Sequence, residues 1–308
     1  MIVVAGESLI DLLVRADGGV SATVGGGPFN AARALGRLGQ SVAFLGRLST
    51  DAFGRMLRER LVADGVDLGL APTTDDPTLL AVAEIGADGS ASYQFHTAAT
   101  AAVGLAPDDL PDGLPPDATA LHVGTLGLVL EPMASAIEEF VASAPREVLV
   151  MADPNCRAAA ISDPDGYRAR LARILRRVDV VKASADDLTW LDPGREIVAA
   201  ARAILEGGPA VVLLTDGAGP VRIVTREHVV SVAVPVVAVV DTVGAGDAFG
   251  AGFLAAWTAS AHGRTELGDA TALAAATRFA IDVGVRTVSR AGADPPTLAD
   301  LRQAGITW

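Results

Sequence analysis

Gly244-Ala245-Gly246 stands directly before a carboxylate, Asp247, within the run Asp241-Thr-Val-Gly-Ala-Gly-Asp-Ala-Phe-Gly-Ala-Gly-Phe253. An apolar helical run follows through Leu254, Ala255, Ala256 and Trp257, and a Val-rich stretch, Val229 to Val240, precedes it and reads as a strand. Strand, glycine turn and helix together form a collector of anions. The first N–H groups of a helix have no internal partner, and the helix dipole favours negative charge there. Small residues let a phosphate come close to those groups. Asp247 in the first turn would sit beside the bound anion. An oxyanion cradle with a neighbouring base is the equipment of phosphoryl transfer.

Gly25-Gly26-Gly27-Pro28-Phe29-Asn30 is a second glycine cluster ahead of a helix. Gly26 and Gly27 suit close backbone approach to a ligand, and Asn30 offers a donor and acceptors for sugar hydroxyls. A plain tight turn before a helix-start proline fits the same residues. Asp11 reads as the end of the first apolar strand region, where α/β proteins bind ligands. Of the 24 Lys and Arg residues only Lys182 is a lysine, and no G-x-x-x-x-G-K loop leads to it. Nucleotide phosphates would therefore fall to backbone N–H groups, arginine and metal. The histidines at 96, 122, 228 and 262 lack metal-ligand spacing, and Cys156 reads as a packing residue. A metal here would be Mg²⁺ held mainly by phosphates and water.

The elements that must carry these residues alternate strand and helix. Runs such as Ile2 to Ala5, Leu121 to Val123, Val148 to Ala152, Val178 to Lys182 and Val211 to Thr215 are short and mainly apolar, and most lead into helical patterns. That alternation predicts a parallel sheet covered on both faces. Two segments break the rhythm, one around Gly18-Gly19 and one around Asp88-Gly89, a strong hairpin signal. Residues 11–25 and 79–100 are expected to form a small β lid outside the main sheet, with an ordinary edge hairpin as the other reading. With no repeat or linker, residues 1–308 are expected to be one domain. A net charge of −13 argues against nucleic-acid and membrane-surface partners. A single Cys, no signal-peptide pattern and no apolar run of about 18 residues fit a cytoplasmic protein.

Taken in order, the motifs resemble the PfkB, or ribokinase-like, family of carbohydrate kinases, and in particular its fructokinase-like members. Gly6-Glu7-Ser8-Leu9-Ile10-Asp11 is similar to the family's opening strand, Gly25 to Gly39 to its first signature, and Asp153-Pro154-Asn155-Cys156-Arg157 to its D-x-N-x-R element. Val212 to Gly217 is similar to the strand and turn that flank ATP, Asp241 to Phe253 to the second signature, and Arg290-Ala291-Gly292-Ala293 to the R-x-G-A segment. The resemblance implies a three-layer α/β/α domain with a mainly parallel central sheet and a β-sheet lid. It implies ATP and Mg²⁺, with a monovalent cation such as K⁺ held near Asp241. Asp247 would be the base, and Gly244, Ala245 and Gly246 the anion hole. Asp11, Gly26, Gly27, Asn30, Tyr93 and Arg157 would bind sugar. Ser184, Thr215 and Gly217 would line the nucleotide, together with Gly244 and Gly246, and Asp187 would orient metal-bound water.

Two positions depart from the family pattern. Ser184-Ala185-Asp186-Asp187 stands where N-x-x-E is usual, and Ile281 stands where many relatives carry an Asn near adenine. Fructose is the expected acceptor, with 2-keto-3-deoxygluconate, ribose or a nucleoside as alternatives. An acidic substrate would need arginines besides Arg157, and residues 90–100 offer Tyr93 and His96 but no Arg. Lid strand edges would suit a homodimer. A dinucleotide-binding oxidoreductase is disfavoured, because its glycine turn follows the first strand and not a strand near the C-terminus.

Overall fold

Six short apolar runs form the parallel part of the central sheet. They are β1 (Ile2–Ala5), β4 (Val42–Leu45), β9 (Ala120–Gly124), β10 (Leu149–Asp153), β11 (Val180–Ser184) and β12 (Val211–Thr215). In this computed structural model, which describes residues 1–85 and 91–307, every residue of these strands is buried except Ser184 and Thr215. β13 (Val221–Val224) and β14 (Val229–Val232) extend the sheet antiparallel, giving the order β14-β13-β12-β11-β10-β9-β1-β4. Side-chain alternation divides the interior into two cores. Ile2, Val4, Leu149, Met151 and Leu213 face α1 (Gly27–Arg37), α2 (Ala52–Ala63), α7 (Ala245–Ala259) and α8 (Ala270–Val288). Val3, Ala5, Leu121, Val123 and Val212 face α3 (Met133–Ser143), α4 (Pro164–Leu175), α5 (Ala185–Leu191) and α6 (Ile197–Glu206). A short α9 (Leu298–Gln303) closes the chain.

The registers align the carboxyl ends of the strands. Gly124 pairs with Asp153 and Ser184 with Thr215, so four loops leave one edge of the sheet together. A separate four-stranded sheet, in the order β3-β2-β7-β8, is built from β2 (Leu9–Val14), β3 (Val20–Gly25), β7 (Leu80–Ile85) and β8 (Ala91–His96). These are the segments expected to form a lid. The Asp88-Gly89 turn lies outside the described residues. A minor pair, β5 (Leu48–Ser49) with β6 (Thr73–Thr74), was not signalled by the sequence. Among the described residues no helix is long and apolar enough to cross a membrane.

Two expectations about position need correction. The strand read over Val229 to Val240 ends at Val232. All four residues of β14 pair with the four of β13, and Pro235 has no N–H to continue a ladder. Val236, Val239 and Val240 are left exposed. Asp241 therefore does not end a strand; its N–H and that of Val240 donate to the carbonyl of Val288 at the end of α8. Asp11 is likewise not at the end of the first strand. β1 stops at Ala5, a turn through Gly6 follows, and Asp11 is the third residue of β2, opposite Thr23 and Ala81 in the second sheet.

α7 and α8 lie close because Gly252 has no side chain; a Cβ there would meet the Ala280 Cα at 3.0 Å. The next residue, Phe253, is fully buried and stacks on Trp257 one turn on, with ring centroids 5.6 Å apart. Phe253→Ala leaves a cavity under the helix that carries Asp247. A loss of about 3–5 kcal/mol is expected from urea unfolding followed by circular dichroism.

Candidate active site

Six helices carry a side-chain N-cap: Asp51 on α2, Asp163 on α4, Ser184 on α5, Glu196 on α6, Asp269 on α8 and Thr297 on α9. α1 and α7 begin instead on glycines, Gly26 and Gly244, with no capping side chain. Their first-turn N–H groups depend on partners from elsewhere: Gly27 N donates to Glu7 and Ala245 N to the Thr242 carbonyl, while the N–H groups that follow in α7 are placed to meet an anion. Gly244 has φ 74° and is packed so closely that a Cβ would lie 2.6 Å from the Ala293 Cβ. Both conditions exclude other residues there.

The two helix starts meet. Asn30 Nδ2 donates to Asp247 Oδ2 at 2.9 Å. The other side of the Asn30 amide, Oδ1, is buried without a partner. A Cβ on Gly27 would lie 2.2 Å from Thr125 Oγ1 and 3.4 Å from Asp247 Oδ1. Thr125 (φ 51°) and Asn155 (φ 40°) both adopt left-handed backbone and are joined by Asn155 Nδ2 donating to Thr125 Oγ1 at 3.1 Å. Glu7 is fully buried behind them, accepting from Gly27 N and Gly127 N at 3.0 Å each. Burial pushes the Glu7 carboxyl up to about 8 against the pull of those N–H groups.

Asp11 faces the same space from β2. Its Oδ2 sits where a side chain on Gly25 would be, 2.1 Å from the Cβ position. Burial and the charge of Asp247 raise Asp11 to about 6, while the Arg157 guanidinium opposes them. Burial also raises Asp247, offset by the Asn30 hydrogen bond and by the charges of Lys182 and Arg157. Arg157 is exposed at the mouth.

Buried polar groups lie behind α7. Lys182 Nζ pairs with Asp153 Oδ2 at 2.9 Å, both buried, and Nζ lies 2.8 Å from the point a Gly246 Cβ would take. Burial pulls the lysine down, but Asp153, Asp187 and Asp247 outweigh it and the net direction is up. His122 is buried nearby on β9 with Nδ1 unpartnered; burial and then Lys182 press it to about 4, so it is neutral. Asp187 is bound by its own helix start: Oδ2 accepts from Ser184 N at 2.8 Å and Oγ at 2.6 Å, and Oδ1 from Cys156 N at 2.6 Å. Cys156 is driven up to about 12, first by burial and then by Asp187, and stays a thiol. Thr215 and Gly217 continue this edge as an open ledge, with nothing near the Gly217 Cβ position.

The C-terminal loop completes the enclosure. Asp241 accepts from Val243 N and Gly292 N at 3.0 and 2.9 Å, tying the two loops together. Arg33, buried in α1, donates to the Ala293 carbonyl at 2.9 Å and pairs with Asp64 at 2.7 Å. Arg37 bridges Asp64 and Asp294.

The fold thus brings Gly26, Gly27, Asn30, Gly244, Ala245, Gly246 and Asp247 together, with Asp11 and Arg157 facing them. Ser184 and Asp187 lie along the same strand edge, and Asp241 engages backbone with both oxygens. Tyr93 pairs through its backbone with Ala83, and its side chain lies outside the described residues. Among the described residues no group of three or more His, Cys, Asp or Glu could hold a metal ion. Sequence reasoning passed over Glu7, Thr125 and His122 as site residues and left Lys182 without a role. The signal for Lys182 was its solitude; for Glu7 and Thr125 it was their place beside strand-end glycines. His122 gave none.

Asn30→Ala removes the donor that lowers Asp247. Carbon-detected NMR titration is expected to show the Asp247 carboxyl titrating at higher pH than in the parent, with folding retained.

Comparison with known proteins sets this geometry in context. The family described as pfkB family carbohydrate kinase matches residues 1–297. A fructokinase from Rhizobium leguminosarum bv. trifolii is 37% identical over 259 residues, covering 83% of this chain and 79% of that protein. The crystal structure of a fructokinase from Xylella fastidiosa with bound ATP superposes with TM-score 0.89 at 28% identity, covering 99% of this chain and 98% of the other. A doubly substituted fructokinase from Vibrio cholerae O395, with fructose, ADP and potassium bound, gives TM-score 0.84 at 26% identity over 95% and 94% of the chains.

Proposed function

The chain belongs to the pfkB family of carbohydrate kinases and is an ATP-dependent sugar kinase, and we propose that its acceptor is fructose. One observation carries the mechanism: Asp247 stands in the first turn of the uncapped α7, hydrogen-bonded at 2.9 Å to Asn30 in the first turn of the uncapped α1. A base and an anion hole on one helix meet a polar side chain on another. A sugar hydroxyl seated between them would have its proton directed at Asp247 and its oxygen directed at a phosphoryl group on Gly244, Ala245 and Gly246. The loose transition state needs the proton removed only late, so a carboxylate suffices and orientation is its main task.

The acceptor side is read from the same contacts. Asn30 Oδ1 is a buried acceptor without a protein partner, suited to a sugar hydroxyl. Asp11, Gly26 and Gly27 would frame the sugar, with Arg157 at the mouth and Tyr93 from the lid. Residues 90–100 contain no arginine, which favours a neutral sugar over a sugar acid. On the donor side Ser184, Thr215 and Gly217 would border the nucleotide. Mg²⁺ would arrive on the phosphates and neutralise charge as it moves to the leaving group; Asp187 would touch it through water. Asp241, next to the anion hole, would support a monovalent cation such as K⁺. We read residues 1–308 as one kinase domain whose second sheet is the lid, cytoplasmic in setting and dimeric through lid strands.

A coupled ADP-release assay across fructose, ribose, 2-keto-3-deoxygluconate and adenosine tests the acceptor. Fructose is expected to give the highest kcat/KM, and a higher value for another acceptor overturns fructose. Asp247→Asn is expected to lower kcat by roughly 10²–10⁴-fold while calorimetric ADP binding stays near the parent value. Retained turnover would remove Asp247 from the base role.

A further inference from the structure

A chain that uses arginine for all but one of its 24 Lys and Arg positions keeps its single lysine at 182. That lysine is only 4% exposed and lies at the active edge of β11. Its Nζ is held by Asp153 at 2.9 Å and reaches to within 2.8 Å of the Cβ position of Gly246. An ammonium is a compact point charge, whereas the planar guanidinium is larger and needs several partners. Gly246 lacks the Cβ that would collide with Nζ, so the lysine and the glycine fit as a pair. The other deeply buried cation among the described residues is Arg33, which pairs with Asp64. Lys182 is thus the buried positive charge that serves the active site.

The charges around Asp247 explain what it does there. Glu7 faces Asp247 from the turn after β1, Asp11 from β2 and Asp153 from β10, all carboxyls whose interaction with Asp247 raises them. Against them stand Lys182 from β11 and the exposed Arg157, both of which act to lower Asp247. Without an ammonium inside, burial would drive Asp247 further toward its protonated form, and the surrounding carboxyls would repel an incoming phosphate. We propose that Lys182 is a positioning residue for phosphoryl transfer: its ammonium, held by Asp153 behind Gly246, fixes a positive charge beneath the first turn of α7, keeps Asp247 in its base form and strengthens the anion hole from the protein side. The proposal rests on the kinase reading of the site.

A purely structural ion pair makes a different forecast. Replacing both partners of a buried pair by neutral residues of similar volume is often neutral for folding, whereas removing one partner is not. The informative protein is therefore Asp153→Asn with Lys182→Met, alongside Asp153→Asn alone and the parent. All are measured by thermal melting and by pH profiles of steady-state kinetics with the best acceptor. The double variant is expected to melt within a few degrees of the parent. Its kcat should fall by at least about ten-fold, less than the loss of a direct oxyanion donor, with the sugar KM little changed. The acidic limb of its kcat/KM profile should move to higher pH.

Asp153→Asn alone leaves the ammonium buried without the carboxylate that holds it, so it should melt well below the double variant; because the positive charge remains beneath α7, its acidic limb should not move to higher pH. A double variant with parental kcat and limb would overturn the proposal. So would an acidic limb of Asp153→Asn that moves to higher pH as far as that of the double variant. Should the double variant not fold, the limb of Asp153→Asn decides: a limb that stays or moves to lower pH supports the proposal, and one that moves to higher pH overturns it. A parent inactive on every acceptor would overturn the kinase reading together with this one; an active parent with indifferent variants overturns Lys182 alone.

Discussion

The hydrogen bond from Asn30 to Asp247 joins residues 217 positions apart in the chain, and the geometry of the site follows from it. It forms only if α1 and α7 start side by side on one face of the sheet. That in turn requires the backbone of each to approach what lies ahead of it more closely than a side chain allows. Gly27 is pressed against Thr125, Gly244 against Ala293 and Gly246 against Lys182. Each glycine removes one obstacle to a shared origin for two helix dipoles. Neither N-cap glycine can supply a capping side chain, in contrast to the N-caps of six other helices; Glu7, from outside the helix, takes the Gly27 N–H. A helix cannot satisfy its first N–H groups itself, and on the proposed reading a phosphoryl group would be the partner of those that remain at the start of α7.

Electrostatics accounts for much of the remainder. Glu7, Asp11, Asp153 and Asp247 crowd one volume in a protein already carrying a net charge of −13. Such a site repels the polyanion it must bind unless oriented dipoles and local cations offset the carboxyls. The chain meets this in layers. Two helix starts supply oriented dipoles, Lys182 lies beneath, and Arg157 stands at the mouth. Further out, Arg33 and Arg37 hold Asp64, Asp294 and the Ala293 carbonyl, and so fix the loop against which Gly244 turns. Through the Ala293 carbonyl and Asp294, these arginines hold the segment against which the left-handed turn at Gly244 packs.

How much of this the sequence disclosed depended on whether a feature is local. The anion-hole turn, the uncapped helix starts and the alternating lid segments are written in short patterns of glycine, carboxylate and period-two hydrophobicity, and the folded chain has helices and strands there. The end of β14 was misread, because a run of valines looks like strand regardless of whether a partner exists, and β13 offers only four residues to pair with. Asp11 was assigned to the wrong sheet, since nothing in Gly6-Glu7-Ser8 says that the chain changes layers there. Lys182, Glu7 and His122 gain their meaning from partners up to 120 residues away. Contacts of that kind leave no spacing to read, and only the solitude of Lys182 hinted at one.

Glu7 also marks the boundary between the two sheets. It follows Gly6, whose φ of 149° and contact with Pro28 turn the chain out of β1. Two residues later β2 begins and carries Asp11 away from the core. The return strand β3 ends at Gly25, and Gly26, with φ 109°, starts α1. Between exit and return, Glu7 grips Gly27 N on one side and Gly127 N on the other. The second sheet is thus joined to the first through residues on either side of a buried double hydrogen bond. A displacement of β2 and β3 would carry Asp11 with it, while Gly27, Asn30 and Asp247 stay bound to the core. The Asn30–Asp247 bond is thereby set apart from the strands that, on the proposed reading, would close over a sugar. On the proposed reading, a base and anion hole fixed to the core could serve acceptors of different shape, with discrimination left to residues of the second sheet.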